Sequence, residues 1–253
     1  MTERKDPLVI SRSGQLWEKA TRRDFMRLMG IGGAVVLLPS VLAGCEDGYT
    51  EGGITGPGAG PGTGQTVTID FAKGDIAILQ FAYALEQLEA DFYTRVAAGF
   101  SASGLSAAEQ AIFIDIKNHE VIHREALKTV LGPANGFTLA PVYGGVNFSN
   151  RTSILQTAKA FEDLGVAAYN GAAQYIASVD NLLVAGKIVS VEGRHASAIA
   201  DLIAPKTNAF APQAFDNAFR PSMVAGLAQP FITERLAFAG TVPAFVQGPN
   251  NNG

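Results

Sequence analysis

Two short segments with the same internal spacing limit what this chain can fold into. Asn118–Glu125 reads Asn-His-Glu-Val-Ile-His-Arg-Glu and sets Glu120 three residues before His123. Val191–His195 reads Val-Glu-Gly-Arg-His and sets Glu192 three residues before His195. In a helix that spacing puts both side chains on one face, one turn apart. Each pair lies on an apolar stripe: Ile112, Ile116, Leu127 and Val130 flank the first, and Ile188, Ile199 and Leu202 the second. Carboxylates and imidazoles therefore point toward a core. Burial there is costly unless they are paired or bind metal.

Two more helical stripes carry acids. One runs Leu79, Ala82, Glu86, Glu89, Tyr93, Val96; the other runs Leu155, Ala158, Glu162, Gly165, Tyr169, Ala172. Glu86 precedes Tyr93 by seven residues, and Glu162 precedes Tyr169 by seven. Each half of the chain is thus a helix with Glu…Tyr followed by a helix with Glu-x-x-His.

The periodicity predicts four helices: about Asp75–Ala98, Ser106 to about Leu131, Thr152 or Ser153 to about Ser178, and near Asp180 to Ala204. Ser106-Ala107-Ala108-Glu109 is a capping box. Gly132-Pro133 stops the second helix and Pro205 the fourth. Gly99–Leu105 and the residues around Val179–Asn181 are short loops, whereas Gly132–Arg151 is a long Gly/Pro-rich connection. Two antiparallel hairpins joined by one long crossover make an all-α four-helix bundle. The bundle domain is expected over 66–204. Thr66–Phe71 alternates and reads as a short extended segment. The Pro-rich extension, 205–253, is expected to pack over the bundle with short helices at Gln213–Phe219 and Ser222–Phe231.

Residues 1–44 read as an export signal. Thr21-Arg22-Arg23-Asp24-Phe25-Met26 is a twin-arginine sequence, followed by an apolar run from Ile31 to Val41. That run is shorter than the roughly 20 apolar residues of a membrane-spanning helix. Leu42-Ala43-Gly44-Cys45 resembles a bacterial lipoprotein box, with Cys45 as the lipidated residue. Cys45 is the only cysteine, which excludes an intramolecular disulfide or a thiolate metal cluster. Residues 45–65 are dense in Gly and Pro and read as a flexible tether. Without residues 1–44 the chain keeps 12 basic and 19 acidic residues, a formal −7. Nothing forms a basic patch, which argues against nucleic acid as a partner. The expected location is the periplasmic or cell-surface side of a bacterial membrane, lipid-anchored. Export by this route follows folding, which suits a protein that acquires its metal in the cytoplasm.

One Glu from each of two helices, plus Glu-x-x-His from each of the other two, is the ligand set of two-metal carboxylate bundles. On these residues, over Asp75–Ala204, the chain resembles the ferritin-like superfamily. More closely, it resembles exported ferritin-like-domain proteins related to plant desiccation-related proteins. The set assigns Glu86, Glu120, His123, Glu162, Glu192 and His195 to two metal ions, iron or manganese. Four carboxylates balance two divalent cations, which offsets the desolvation of a buried cluster. Glu120 and Glu192 can bridge the ions, Glu86 and Glu162 each close one side, and each His gives a neutral nitrogen. Tyr93 and Tyr169 would orient a ligand or supply an electron. Glu89 is an alternative first-helix ligand or a partner for Arg95.

The implied chemistry is activation of dioxygen or consumption of peroxide, ferroxidase-like or catalase-like, in stress protection. A metal-binding protein without turnover is the other reading. A homodimer is compatible with both. A rival motif, His119-Glu120-Val121-Ile122-His123, fits the His-Glu-x-x-His of zinc metalloproteases, with Glu120 as base. It leaves the second Glu-x-x-His and the Glu…Tyr repeat without a role. A metal-free bundle with its acids in salt bridges would need more Lys and Arg on the stripes than the chain supplies.

Overall fold

The computed structural model describes residues 64–242 and 244–246. The twin-arginine sequence, the lipoprotein box with Cys45 and most of the tether lie outside the described residues. Gly64 and Gln65, assigned to the tether, are in fact docked: Gly64 N–H donates to the Thr233 carbonyl at 3.0 Å, and the Gln65 carbonyl accepts from Arg235 N–H.

Helix α1 (Asp75–Ala98) follows Gly74, whose φ of 59° makes the turn into the helix. It is buried around almost its whole girth from Ala77 to Ala90, as befits an apolar helix covered on all sides. Helix α2 (Ala107–Asn135) starts at the expected capping box. Ser106 Oγ accepts from Glu109 N–H, and the Glu109 carboxylate accepts from Ser106 N–H at 2.7 Å. Its regular run breaks at Gly132, φ 63°, where the sequence predicts the stop, but one further turn follows through Pro133 to Asn135. Val130, placed on the apolar stripe by its spacing, is instead exposed.

Helix α3 (Arg151–Ala172) is capped by Asn150, whose side chain accepts from Ser153 N–H. It ends earlier than the expected Ser178, passing through a 3-10 turn at Ala173–Tyr175. Asp75 explains the early end. Its carboxylate accepts from Ala177 N–H at 2.7 Å and Ser178 N–H at 2.9 Å, drawing the loop across to the start of α1. Ser178 then caps helix α4 (Val179–Ile203). Arg151 ties the far end together. Its guanidinium donates to Glu109 at the start of α2 and to the Leu202 carbonyl at the end of α4. Helices α1 and α2 pack as one hairpin and α3 and α4 as the other. Among the described residues no helix is long and apolar enough to cross a membrane.

The crossover and the extension form a layer over α1 and α3. Tyr143 OH donates to the Leu88 carbonyl of α1, and Leu139 N–H to Gln87 Oε1. Val142 N–H donates to the Phe231 carbonyl, and Thr233 N–H to that of Ala140, joining crossover to extension. Phe161 of α3 meets Phe231 edge-on at 4.8 Å between ring centres. The extension differs from expectation in its first half. Gln213–Phe219 is not helical; it runs along α3, with Phe219 N–H on the Ala167 carbonyl and Asn170 Nδ2 on that of Asn217. These bonds to a helix already formed replace those of a helix of its own. The second expected helix is α5 (Pro221–Ala228), continued by a 3-10 turn at Gln229–Phe231. Strand β1 (Thr66–Asp70) finds its partner in β2 (Arg235–Ala239), parallel, with Thr66 opposite Arg235 and Asp70 opposite Ala239.

Gly171 is where the extension touches α3 most closely. A Cβ there would lie 1.8 Å from the Phe219 carbonyl oxygen and 2.7 Å from its carbon. Backbone cannot yield as a side-chain tip does. Gly171→Ala is therefore expected to destabilise by about 1–3 kcal/mol, the usual range for overpacking, despite alanine's better helix propensity. A thermal melt should show the loss, and limited proteolysis should place the new cleavage within 205–220. Unchanged melting and digestion would mean the extension is not seated on α3.

Candidate metal centre

The four helices bring the six residues to the middle of the bundle. Glu86 of α1, Glu120 of α2, Glu162 of α3 and Glu192 of α4 have no exposed surface; His123 and His195 are nearly as deep. They fall into two groups that share members. Glu86, Glu120, His123 and Glu192 offer one donor atom each within 4.8 Å of one another, and so do Glu120, Glu162, Glu192 and His195. Glu120 and Glu192 belong to both groups, whereas each of the others belongs to one.

The donor atoms converge in detail. His195 Nδ1 lies 2.8 Å from Glu120 Oε1 and 3.3 Å from Glu162 Oε2. His123 Nδ1 lies 3.0 Å from Glu192 Oε1 and 3.5 Å from both Glu86 Oε2 and Glu120 Oε2. These approaches lack hydrogen-bond geometry. Glu86 Oε2, Glu162 Oε2, both oxygens of Glu120 and of Glu192, and Nδ1 of each histidine are buried with no hydrogen-bond partner. A native core rarely leaves such atoms unsatisfied. Atoms that surround common points without bonding one another suit cations at those points. Carboxylate oxygens with imidazole nitrogens suit iron or manganese.

The other two carboxylate oxygens are held from across the bundle. Tyr93 of α1 donates to Glu162 Oε1 on α3 at 2.5 Å, and Tyr169 of α3 donates to Glu86 Oε1 on α1 at 2.6 Å. The repeat of Glu and Tyr at seven residues shows that each helix carries both. That the pairs cross between helices is visible only in three dimensions. Burial, then the neighbouring carboxylate, holds both phenols well above their ordinary pKa, so each remains a donor. Tyr93→Phe should lower affinity for one ion and Tyr169→Phe for the other, each by about 10–100-fold, the usual effect of removing a group that orients a ligand. Chelator competition would measure it, and unchanged affinities would make these tyrosines mere core residues.

His119 stands outside this set. It is exposed, and its Nδ1 lies 2.9 Å from the outer nitrogen, Nε2, of His195, with the two ring planes within 7° of parallel. With Nδ1 of His195 turned inward, its Nε2 shares a hydrogen bond with His119 Nδ1. His119 belongs to neither group of converging donor atoms, whereas a zinc protease site would need it beside His123. Glu89 is buried beside the centre but belongs to neither group. It does not pair with Arg95, which instead binds Asp91 at 2.6 Å and lies over the Tyr143 ring.

Without metal, protons balance the cluster. Burial raises Glu86 and Glu162 well above the ordinary carboxylate range; burial, then the Glu120 charge, raises Glu192. Glu89 is raised well above it by burial and by Glu192. Burial pushes Glu120 the same way, but His123 and His195 overcome it and hold Glu120 at about 2. Burial lowers the histidines, yet their carboxylate neighbours raise His123 to about 12 and His195 to about 10. Metal-free, the site is a set of protonated acids around two imidazolium–carboxylate contacts.

No curated protein is similar enough to this chain to match it. The family profile described as a ferritin-like domain matches residues 74–205, more than half of the 253 residues. The match spans α1 to α4, including the four helices that supply the buried Glu and His residues. By its fold and by this match, the chain belongs to the ferritin-like domain family.

Proposed function

We propose that this is an extracytoplasmic dinuclear carboxylate protein, holding iron or manganese, that reacts with dioxygen or peroxide in stress protection. The observation that carries the metal reading is the set of buried, unsatisfied donor atoms on Glu86, Glu120, His123, Glu162, Glu192 and His195. Bound there, the metal pair would supply the electrons and Lewis acidity of an oxidant reaction. The chain's own groups prepare the site. Glu120 and Glu192, common to both groups, would span the ions, and Glu86 and Glu162 would each close one. Tyr93 and Tyr169 fix the orientation of the latter two carboxylates. His119 holds His195 with Nδ1 inward. The surrounding apolar core excludes bulk water.

The location rests on the twin-arginine sequence and the Leu-Ala-Gly-Cys box, and the stress role on the resemblance to desiccation-related proteins. Anaerobic loading with ferrous iron or manganese, then addition of oxygen or hydrogen peroxide, tests the reaction. Consumption that disappears in Glu120→Ala supports it. A fully loaded protein that consumes neither oxidant is a metal-binding protein without turnover.

A further inference from the structure

The two halves of the centre are matched at every ligand but not behind the ligands. Tyr93 holds Glu162 at 2.5 Å and Tyr169 holds Glu86 at 2.6 Å, so the two outer carboxylates are supported alike. The histidines are not. His119, the residue before Glu120 on α2, reaches across to α4 and shares a hydrogen bond with Nε2 of His195 at 2.9 Å. The residue before Glu192 on α4 is Val191, whose side chain has no polar atom to offer His123. Among the described residues the polar approaches to His123 are all to its Nδ1, from Glu86, Glu120 and Glu192. A second unmatched pair, Glu89 on α1 and Gly165 on α3, falls beside Glu192: a Cβ on Gly165 would lie 3.0 Å from Glu89 Oε1 and 3.4 Å from Glu192 Oε2. Glu192 belongs to both groups, so that difference favours neither.

The bond between the histidines acquires a direction when Nδ1 of His195 gives its lone pair to a cation. The ring proton of His195 then sits on Nε2, which donates, and His119 Nδ1 accepts. A bond of this kind fixes the tautomer and the rotation of the ring and makes the imidazole a stronger ligand. His123 has no such protein partner behind it.

We infer that the two metal positions are inequivalent. His119 is the positioning residue that makes the one closed by Glu162 and His195 the tighter, so that a limiting supply of divalent metal fills it first. The inference rests on the dinuclear reading above.

Anaerobic titration of the metal-free full chain with manganese tests it, followed by calorimetry and by the paramagnetic resonance of the bound ion. The native chain should bind in two steps about tenfold or more apart, the first giving the signal of an isolated ion. His119→Ala should weaken the tighter position by about 10–100-fold. His119→Asn, which keeps an acceptor near the place of Nδ1, should recover most of that loss, which a merely structural role would not do. Combined with Glu86→Ala, which leaves the Glu162–His195 position, His119→Ala should show the whole loss. Combined with Glu162→Ala, which leaves the other position, it should change manganese affinity by no more than about twofold. Two equal steps in the native chain would overturn the inference, as would equal losses in the two backgrounds, no recovery with Asn, or a Glu86→Ala chain that binds no manganese. A native chain that never takes up two ions means that the dinuclear reading itself has failed, and the total uptake distinguishes that failure from the others.

Discussion

Glu120→Ala is expected to abolish binding at both proposed metal positions, whereas Glu86→Ala or Glu162→Ala is expected to abolish it at one. The difference follows from membership: Glu120 is in both four-residue groups, and Glu86 and Glu162 are in one each. Glu120 also has a cost in the metal-free protein. Its oxygens face His195 at 2.8 Å and His123 at 3.5 Å, so the alanine variant takes from buried His195 its nearest acid and from His123, which keeps Glu192 at 3.0 Å, a further one. Removing one partner of a buried ionic contact typically costs about 3–5 kcal/mol. For a domain of this size that is on the order of 10 °C in Tm. Metal titration and calorimetry on the three variants check the pattern. Equal losses in all three would contradict the shared-ligand arrangement.

The second large effect is a link between metal, protons and stability. Glu86, Glu162, Glu192, His123 and His195 all have raised values in the folded protein. A raised folded value means the native state keeps protons that the unfolded chain releases. Stability from such a group is complete below its unfolded value and is lost as pH rises toward the folded one. The losses therefore begin above about pH 4.5 for the acids and above about 6.5 for the histidines. Glu120 runs the other way. Held at about 2, it contributes above the ordinary carboxylate range and loses that contribution as pH falls toward 2. The metal-free protein should accordingly be most stable in mildly acidic solution and less stable at pH 8 than at pH 5.5.

Metal reverses this slope, because it needs ionised carboxylates and neutral imidazoles and so expels the protons. At a free metal concentration about 1,000 times Kd, binding stabilises by about 4 kcal/mol. That gain should grow from pH 5.5 to pH 8. Scanning calorimetry with and without manganese at the two pH values measures it. A metal-free Tm that rises with pH, or a metal-induced shift that does not, would contradict the cluster described here.

The bundle was legible because its signals are local. The Ser106–Glu109 capping box, the Gly132 break and the apolar stripes set the helices to within a turn, except at the end of α3. There a long-range bond from Asp75 decided the matter, and no local pattern reports it. The β1–β2 pairing joins residues about 170 positions apart in sequence and depends on where the extension lands. The lost helix at Gln213–Phe219 has the same cause: Gly171 lets backbone settle on α3, and tertiary contact overrides propensity. Within the site, spacing could place a Glu and a Tyr on each of α1 and α3. It could not show that Tyr93 serves Glu162 and Tyr169 serves Glu86. His119 looked like half of a zinc motif because His-Glu-x-x-His is a linear pattern. In three dimensions it backs His195.

The central claim is that six residues from four helices hold two ions. Metal analysis of the protein, reconstituted without oxygen in ferrous iron or manganese and then freed of loose metal, tests it most directly. The account predicts two ions per chain. One zinc per chain, retained when Glu86 and Glu162 are both changed to Ala, would contradict it.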